Sequence, residues 1–284
     1  MKLPYSFRDN QEETVASIKS ALAKRNHIVL ESPTGSGKTF TSLAAALPFA
    51  EKNDMKIVYC VRTNSQQKQV IHELQQLKKA GNQIKAIAVQ GREALCPQQK
   101  YDGELKKSNW SEKSKICKTL KLQSKMGEAG CQFYRQLLRE GQALIKKWSS
   151  EILTAQEFAK KAEEANICPY ELNKLMLKEA QVVIVPYVYF FEEFIRKYML
   201  GWMGTSIDKI ILIVDEAHNL PDWARGAASE SMTIDSINRA VNEIKDYGYL
   251  LPEDRDPIYF LNLVEASIEK LAEDHIIDNE DEGH

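Results

Sequence analysis

Along the first 90 residues, segments with the hydrophobic spacing of a helix alternate with short apolar runs typical of a strand. Apolar residues at helical spacing predict a helix over 10–23, and the short apolar run at 27–31 predicts a buried strand that ends in a Gly/Ser/Pro turn. The same patterns predict further helices over 39–50 and 65–79 and further strands over 56–61 and 84–89. Strands that alternate with helices indicate a parallel sheet covered by helices on both faces.

The pattern changes after Gly91. Residues 96–168 contain no convincing strand, only Lys-rich and amphipathic helical segments that carry four cysteines. The later segments repeat the first pattern and then become helical, with strands predicted over 181–185 and 209–214 and helices over 234–244 and 258–271. The predicted fold is therefore an α/β parallel sheet that carries a mainly helical, four-cysteine insertion.

Composition agrees with a folded chain and leaves nucleic-acid binding open. The 284 residues are 43% hydrophobic and 27% charged, which is typical of one large or two ordinary globular domains. The formal net charge of −2 hides an uneven distribution, because residues 100–125 hold eight lysines whereas residues 271–284 hold six carboxylates and no Lys or Arg. A near-neutral total thus excludes nothing about nucleic acid.

Neither a membrane span nor a disulfide framework is predicted. The longest apolar stretch, 182–191, contains Pro186 and is far shorter than the roughly 20 residues that cross a bilayer. We therefore expect an intracellular, cytoplasmic protein without membrane contact, associated with the nucleoid if the source is prokaryotic. Five cysteines, an odd number, leave four available for metal or cluster ligation.

A phosphate-binding loop is predicted where residues 27–31 meet the helix at 39–50. The backbone N–H groups of the segment SPTGSGKT, at 32–39, can surround phosphate oxygens, Lys38 can neutralise the β and γ phosphates, and Thr39 can hold Mg²⁺. An ordinary Gly/Ser turn is the structural alternative. The predicted nucleotide-contacting residues of this loop are Thr34, Gly35, Ser36, Gly37, Lys38 and Thr39.

A second acidic motif, DEAH at 215–218, follows the apolar run at 210–214. Asp215 is placed to hold the magnesium shell, Glu216 to orient or deprotonate the attacking water, and His218 to couple the nucleotide site to its surroundings. By itself this motif could be a polar strand end. Together with the phosphate loop it predicts nucleotide hydrolysis.

These motifs resemble the superfamily 2 DNA helicases of the xeroderma pigmentosum group D (XPD) type, and an archaeal member is expected. The matching segments are SPTGSGKT at 32–39, VRTN at 61–64, QGR at 90–92, PYVYF at 186–190 and DEAHNL at 215–220. The resemblance implies a RecA-like motor domain that uses ATP and Mg²⁺. It also places Arg8 and Gln11 where the family reads the adenine base.

The resemblance further implies that single-stranded DNA is the partner. Arg62 and Thr63 lie where the family holds the sugar-phosphate backbone, and Arg92 is a further candidate of this kind. Tyr187 could stack on a base, although an aromatic residue after a strand also fits core packing. The lysines of residues 100–125 form either a solvated helix face or an edge that contacts phosphates.

Cys96, Cys117, Cys131 and Cys168 are separated by 20, 13 and 36 residues. This spacing matches neither the zinc-ribbon nor the ferredoxin pattern, so it leaves zinc, an iron-sulfur cluster and free thiols as alternatives. The resemblance implies a [4Fe-4S] cluster on these four cysteines. Cys60 lies inside an apolar run and is predicted to be a buried structural thiol.

The resemblance also implies a division of the chain. The expected parts are motor domain 1 at 1–93 and 171–232, the cluster insertion at 94–170, and the beginning of a helical arch domain at 233–284, cut short. A second motor domain is expected outside this chain. We therefore expect the N-terminal half of an ATP-dependent 5′–3′ DNA helicase in DNA repair, unable to unwind DNA alone. The rival hypothesis is a non-enzymatic DNA-binding module with structural zinc or a nucleotide switch.

Overall fold

A parallel sheet of four strands lies at the centre of the described residues that precede Ala217. The computed structural model describes residues 1–33, 35–229, 233–247 and 256–280. The strands are β1 (Lys56–Val61), β2 (Ala86–Ala88), β3 (Val182–Pro186) and β4 (Ile210–Val214). Their order is β2-β3-β1-β4, and each neighbouring pair is parallel, which confirms the predicted α/β class.

Helices occupy most of the remaining described chain. In chain order they are α1 (Gln11–Ala23), α2 (Lys38–Lys52), α3 (Asn64–Lys79), α4 (Arg92–Leu95), α5 (Gly103–Lys107), α6 (Trp110–Lys125), α7 (Gln132–Trp148), α8 (Ala155–Glu164), α9 (Pro169–Met176), α10 (Tyr187–Phe191), α11 (Glu193–Met203), α12 (Leu220–Ala228), α13 (Ile234–Tyr247) and α14 (Pro257–Glu280). Short 3-10 turns lie at Pro97–Lys100, Ile207–Lys209 and Ala217–Asn219. The predicted helices before Gly91 agree with α1, α2 and α3 to within two residues at each end.

The main core lies around β1, the second strand from one edge of the sheet. Ile57 and Tyr59 of β1 join the apolar faces of α2 and α3 in one cluster. Val58 and Cys60, which alternate with them, are also fully buried. Because successive side chains of a strand point to opposite faces, both faces of β1 are covered. Cys60 is thus the buried strand thiol that the sequence predicts.

The four-cysteine insertion has a helical core of its own. No strand occurs in the described residues 96–168, as predicted. Helices α7, α8 and α9 bury residues such as Leu137, Ile167 and Leu172, and the rings of Trp148 and Phe158 meet edge to face at 6.2 Å. The amphipathic pattern predicted these helices because each buries one apolar stripe against its neighbours.

The strand predicted over residues 27–31 is wrong. The segment has no strand structure, and Ile28, Val29 and Leu30 are 39%, 95% and 43% exposed. A strand requires a partner edge as well as an apolar composition, and no sheet neighbour for this segment occurs among the described residues. At one edge of the sheet lies β4, whose Leu212 is 36% exposed.

The chain forms two units, Met1–Ala217 and His218–His284. In the second unit α13 buries Ile237 and Val241 and packs against α14, so both late helices predicted from the sequence are present. The predicted domain boundaries at 93, 170 and 232 stay predictions. Within the described ranges, no helix combines the length and the apolar character that a membrane span requires.

Candidate functional site

A cavity of about 360 Å³ opens where the phosphate loop and the carboxyl end of β4 meet the N-terminal segment. Its size lies within the range of small-molecule sites. The lining residues are Tyr5, Arg8, Gln11, Gly35, Gly37, Lys38, Thr39, Phe40, Gln66, Gln69, Glu73, Asp215 and Glu216. The fold therefore brings together side chains that the sequence assigned separately to base, phosphate and magnesium contacts.

The phosphate loop ends in two glycines with left-handed backbone. Gly35 has φ 80° and Gly37 has φ 85°, and Gly37 is the N-cap of α2. Glycine adopts this conformation without a Cβ penalty, which explains why the loop can turn directly into the helix. The helix N-terminus and the loop N–H groups thereby provide positive potential for a phosphate. Thr34, also predicted to contact nucleotide, lies outside the described residues.

Lys38 joins the loop to the acidic motif. Its Nζ donates to the Ser32 carbonyl at 3.2 Å and lies 3.4 Å from Oε1 of Glu216. Both side chains of the ion pair are about one-third exposed, so they are accessible from the cavity. The residues predicted for phosphate charge and for water activation are therefore neighbours.

Arg8 and Gln11, at the start of α1, donate hydrogen bonds to the phosphate loop. Arg8 Nη1 donates to the Gly35 carbonyl at 3.2 Å, and Gln11 Nε2 donates to the Ser36 carbonyl at 2.7 Å. Gln11 is buried although it is polar, which is consistent with its satisfied amide. The structure thus brings both residues predicted for adenine reading to the nucleotide-sized cavity.

Asp215 follows the last residue of β4 and lies one strand away from Cys60. Its N–H donates to the Cys60 carbonyl at 2.9 Å, and its Oδ1 accepts from the N–H of Glu216 at 3.1 Å. Burial raises the pKa of Asp215, and the neighbouring charge of Glu216 raises it further. A bound cation would favour the ionised carboxylate, so Asp215 and Thr39 are suited to hold Mg²⁺.

Tyr59, which the sequence analysis did not select, lies beneath this part of the site. Its hydroxyl interacts with the side chains of Thr39 and Ser42, and burial followed by the charge of Asp215 raises its pKa. Tyr59 is 2% exposed in the central strand. Its hydroxyl therefore supports the Thr39 side chain from the core side.

The sequence analysis also missed the residues that form one wall of the 360 Å³ cavity. Tyr5 donates its hydroxyl hydrogen to Glu73, and its ring centroid lies 4.7 Å from that of Phe40. Gln66, Gln69 and Glu73 line the same wall from α3. Polar residues at positions 66, 69 and 73 share one helix face, and this spacing was the available sequence signal.

The predicted DNA-contacting residues have different environments. Arg62 and Thr63 are exposed directly after β1, and Gln66 Oε1 accepts from both of their N–H groups at 2.9 Å. Tyr187 is 2% exposed, so its ring belongs to the core, the alternative that the sequence left open. Its hydroxyl contacts the backbone of Asp215 and Glu216.

Arg92 lies beside the cysteines. Its Nη1 donates to Ser114 Oγ at 3.0 Å, and its guanidinium lies 5.0 Å from the ring centroid of Tyr170. Its Nε is buried without a hydrogen-bond partner in the described structure. A contact between Arg92 and DNA stays a prediction.

All four predicted ligand cysteines line one small cavity of about 20 Å³ in the insertion: Cys96, Cys117, Cys131 and Cys168. They come from the ends or faces of four different helices, and Arg92 and Lys121 line the same cavity. Burial raises the pKa of the Cys96, Cys131 and Cys168 thiols. The described residues hold no group of three His, Cys, Asp or Glu side chains close enough for a metal ion. The four thiols therefore line one cavity without forming a close-packed ligand group in the described structure.

Some lysines of residues 100–125 are engaged in ion pairs rather than freely solvated. Lys113 lies 2.7 Å from Glu93, and Lys121 lies 2.7 Å from Glu171. Other lysines of this run, including Lys115 and Lys118, are exposed. Both alternatives for this run, a solvated face and a phosphate-contacting edge, stay open.

His218 is the first residue of the second unit. Its Nε2 and the Asn219 amide nitrogen are 3.0 Å apart. The coupling role predicted for His218 stays a prediction.

A family model described as DEAD_2 matches residues 59–237. The protein described as "Regulator of telomere elongation helicase 1 homolog" of Caenorhabditis elegans is 26% identical over 289 residues, which cover 90% of this chain and 28% of that protein. The human "Regulator of telomere elongation helicase 1" is 26% identical over 274 residues, covering 81% of this chain and 21% of that protein. The chain thus spans about a quarter of these curated relatives.

Two solved structures share the fold. "XPD_Helicase" aligns with a TM-score of 0.54 at 21% identity, covering 84% of this chain and 37% of that chain. "Truncated XPD" also has a TM-score of 0.54 at 21% identity and covers 91% of this chain and 65% of that chain. The likeness agrees with the predicted RecA-like arrangement of the sheet and its helices.

Proposed function

Because this chain belongs to the DEAD_2 family, we propose that it is the ATP-binding N-terminal half of an ATP-dependent DNA helicase. The observation that carries the proposal is the single cavity shared by the phosphate loop, Asp215 and Glu216. Arg8 and Gln11 lie at the same cavity and are suited to contact the base. The relatives described as helicases support the reaction class.

Within this site the side chains have separate tasks. Lys38 neutralises phosphate charge, Thr39 and Asp215 hold magnesium, and Glu216 accepts the proton of the attacking water. Magnesium, when bound, supplies further neutralisation of charge on the transferred phosphate. The 3.4 Å distance between Lys38 Nζ and Glu216 Oε1 supports these assignments, because hydrolysis needs a cation for the terminal phosphate beside a base for the attacking water.

Single-stranded DNA is the proposed second substrate. Arg62 and Thr63 are exposed at the carboxyl edge of the sheet, one strand from the acidic motif, and can contact the DNA backbone. The resemblance supports the proposed 5′–3′ polarity and role in DNA repair, and an intracellular location is proposed with them. A second motor domain outside this chain would complete the ATP site.

The insertion is proposed to hold a [4Fe-4S] cluster on Cys96, Cys117, Cys131 and Cys168. Support comes from the convergence of these four thiols on one cavity, with two cationic side chains to offset thiolate charge. When bound, the cluster would supply a rigid link among helices that otherwise share a small core. The insertion would then act as a wedge or gate at the point of strand separation.

The intact protein provides the test. We expect ATP hydrolysis that single-stranded DNA stimulates, and unwinding of a 5′-tailed duplex in preference to a 3′-tailed one. A protein that binds DNA and nucleotide without steady ATP turnover would contradict the helicase proposal. That outcome would favour the non-enzymatic DNA-binding module.

A further inference from the structure

Tyr187 connects the third strand to the backbone of the hydrolytic pair. It is the first residue of α10, directly after β3, and it is 2% exposed. Its hydroxyl donates to the Asp215 carbonyl and lies 3.2 Å from the Glu216 carbonyl. The ring is packed edge to face against Phe191, with centroids 6.0 Å apart.

These two carbonyls belong to the peptide units on either side of the Glu216 Cα. Glu216 has φ 48°, in the left-handed region that a residue with a Cβ adopts at a cost. A backbone held in such a conformation requires contacts that fix the adjoining peptides. The Tyr187 hydroxyl contacts both of them at once.

We infer that Tyr187 is a positioning residue for ATP hydrolysis, which acts by fixing the Asp215–Glu216 turn. The inference rests on the proposed function of Glu216 as the base. With both flanking peptides fixed, the Glu216 carboxylate is directed to the side of Lys38, 3.4 Å from its Nζ. Without the hydroxyl, the turn can relax and the carboxylate loses its fixed direction.

The Tyr187 hydroxyl can serve as a donor to these carbonyls at neutral pH. An ordinary tyrosine has a pKa of about 10, so its hydroxyl keeps its hydrogen there.

The test compares Tyr187→Phe with wild type in the intact protein, with ATP and single-stranded DNA. The variant keeps the ring and its packing and loses only the hydroxyl. We expect kcat for ATP hydrolysis to fall about 5- to 10-fold, the effect of one hydrogen bond, while KM for ATP changes less than about twofold. Tyr198→Phe removes an exposed hydroxyl on α11 and should leave both constants unchanged.

A double-mutant cycle separates positioning from a general structural role. If Tyr187 acts through Glu216, Tyr187→Phe should have no further effect on single-turnover hydrolysis in a Glu216→Gln background. Multiplied losses in the double variant, or an unchanged kcat in Tyr187→Phe, would overturn the inference while the helicase proposal stands. A wild-type protein without turnover would overturn both.

Discussion

Gln11 Nε2 occupies the space into which a side chain at Gly37 would project. A Cβ atom at Gly37 would lie 2.5 Å from that nitrogen, which donates at 2.7 Å to the neighbouring Ser36 carbonyl. Glycine is therefore favoured at position 37 for two reasons. Its φ of 85° is unfavourable for a residue with a Cβ, and a Cβ would collide with the Gln11 amide. Gly35 has a similar φ of 80°, yet nothing lies within 4 Å of the corresponding position.

Gly37→Ala should weaken ATP binding by at least about 10-fold, because left-handed strain is added to displacement of Gln11. Titration with a fluorescent ATP analogue measures this change. Gly35→Ala is the matched control, since it adds the strain without the collision and should weaken binding less. Equal losses in the two variants would show that the contact with Gln11 is unimportant.

Lys38→Ala should reduce ATP hydrolysis of the intact protein by at least about 100-fold, because the phosphates lose their main cationic partner. A steady-state phosphate-release assay measures the loss. Lys52→Ala, at the opposite end of the same helix and exposed, should have wild-type turnover. Hydrolysis by Lys38→Ala within a few-fold of wild type would disprove the assignment of the phosphate site.

Glu216→Gln should separate binding from hydrolysis. The amide keeps the size of the side chain but cannot accept a proton from water, so ATP binding should persist while turnover falls by about 100-fold or more. Equilibrium binding and single-turnover hydrolysis, measured on the same preparation, distinguish the two. If binding and turnover fell together, Glu216 would be a binding residue rather than the base.

Substitution of Cys96, Cys117, Cys131 or Cys168 by Ser should remove most of the protein's iron and its brown colour. Strand separation should suffer more than ATP hydrolysis, because the cysteine cavity lies in the helical insertion and not at the nucleotide cavity. Metal analysis with absorption spectra provides the measurement. Cys60→Ser, buried in β1, should keep the colour. Colourless wild-type protein with bound zinc would contradict the cluster and favour the zinc alternative.

The 284-residue chain by itself should bind nucleotide weakly and single-stranded DNA with a strong dependence on salt. It should not unwind a duplex, because the proposed second motor domain would supply the arginine that contributes about 10³- to 10⁵-fold to hydrolysis in related NTPases. A fluorescence unwinding assay with a 5′-tailed duplex, ATP and magnesium compares the chain with the intact protein. Robust strand separation by the chain alone would contradict the proposal that unwinding requires a second motor domain.

Local chemistry made much of the site predictable from the sequence. Glycines at 35 and 37 followed by Lys38, between an apolar run and a helix, are typical of a phosphate-binding loop. The position of this loop could therefore be predicted without tertiary information. The strands β1 and β3 were likewise predictable, because a short β-branched run at the centre of a parallel sheet is apolar on both faces. The edge strand β4 was predictable from its β-branched, apolar composition.

Tertiary structure decided what depends on partners distant in sequence. Residues 27–31 have the composition of a strand but no paired edge, so Val29 is exposed. Tyr187 packs into the core and contacts a carbonyl 28 positions away. Cysteines from the ends or faces of four different helices converge on one cavity because α6 and α9 pack against α7 and α4 packs against α9. A sequence pattern specifies which groups are available, whereas packing and strand pairing determine which of them meet.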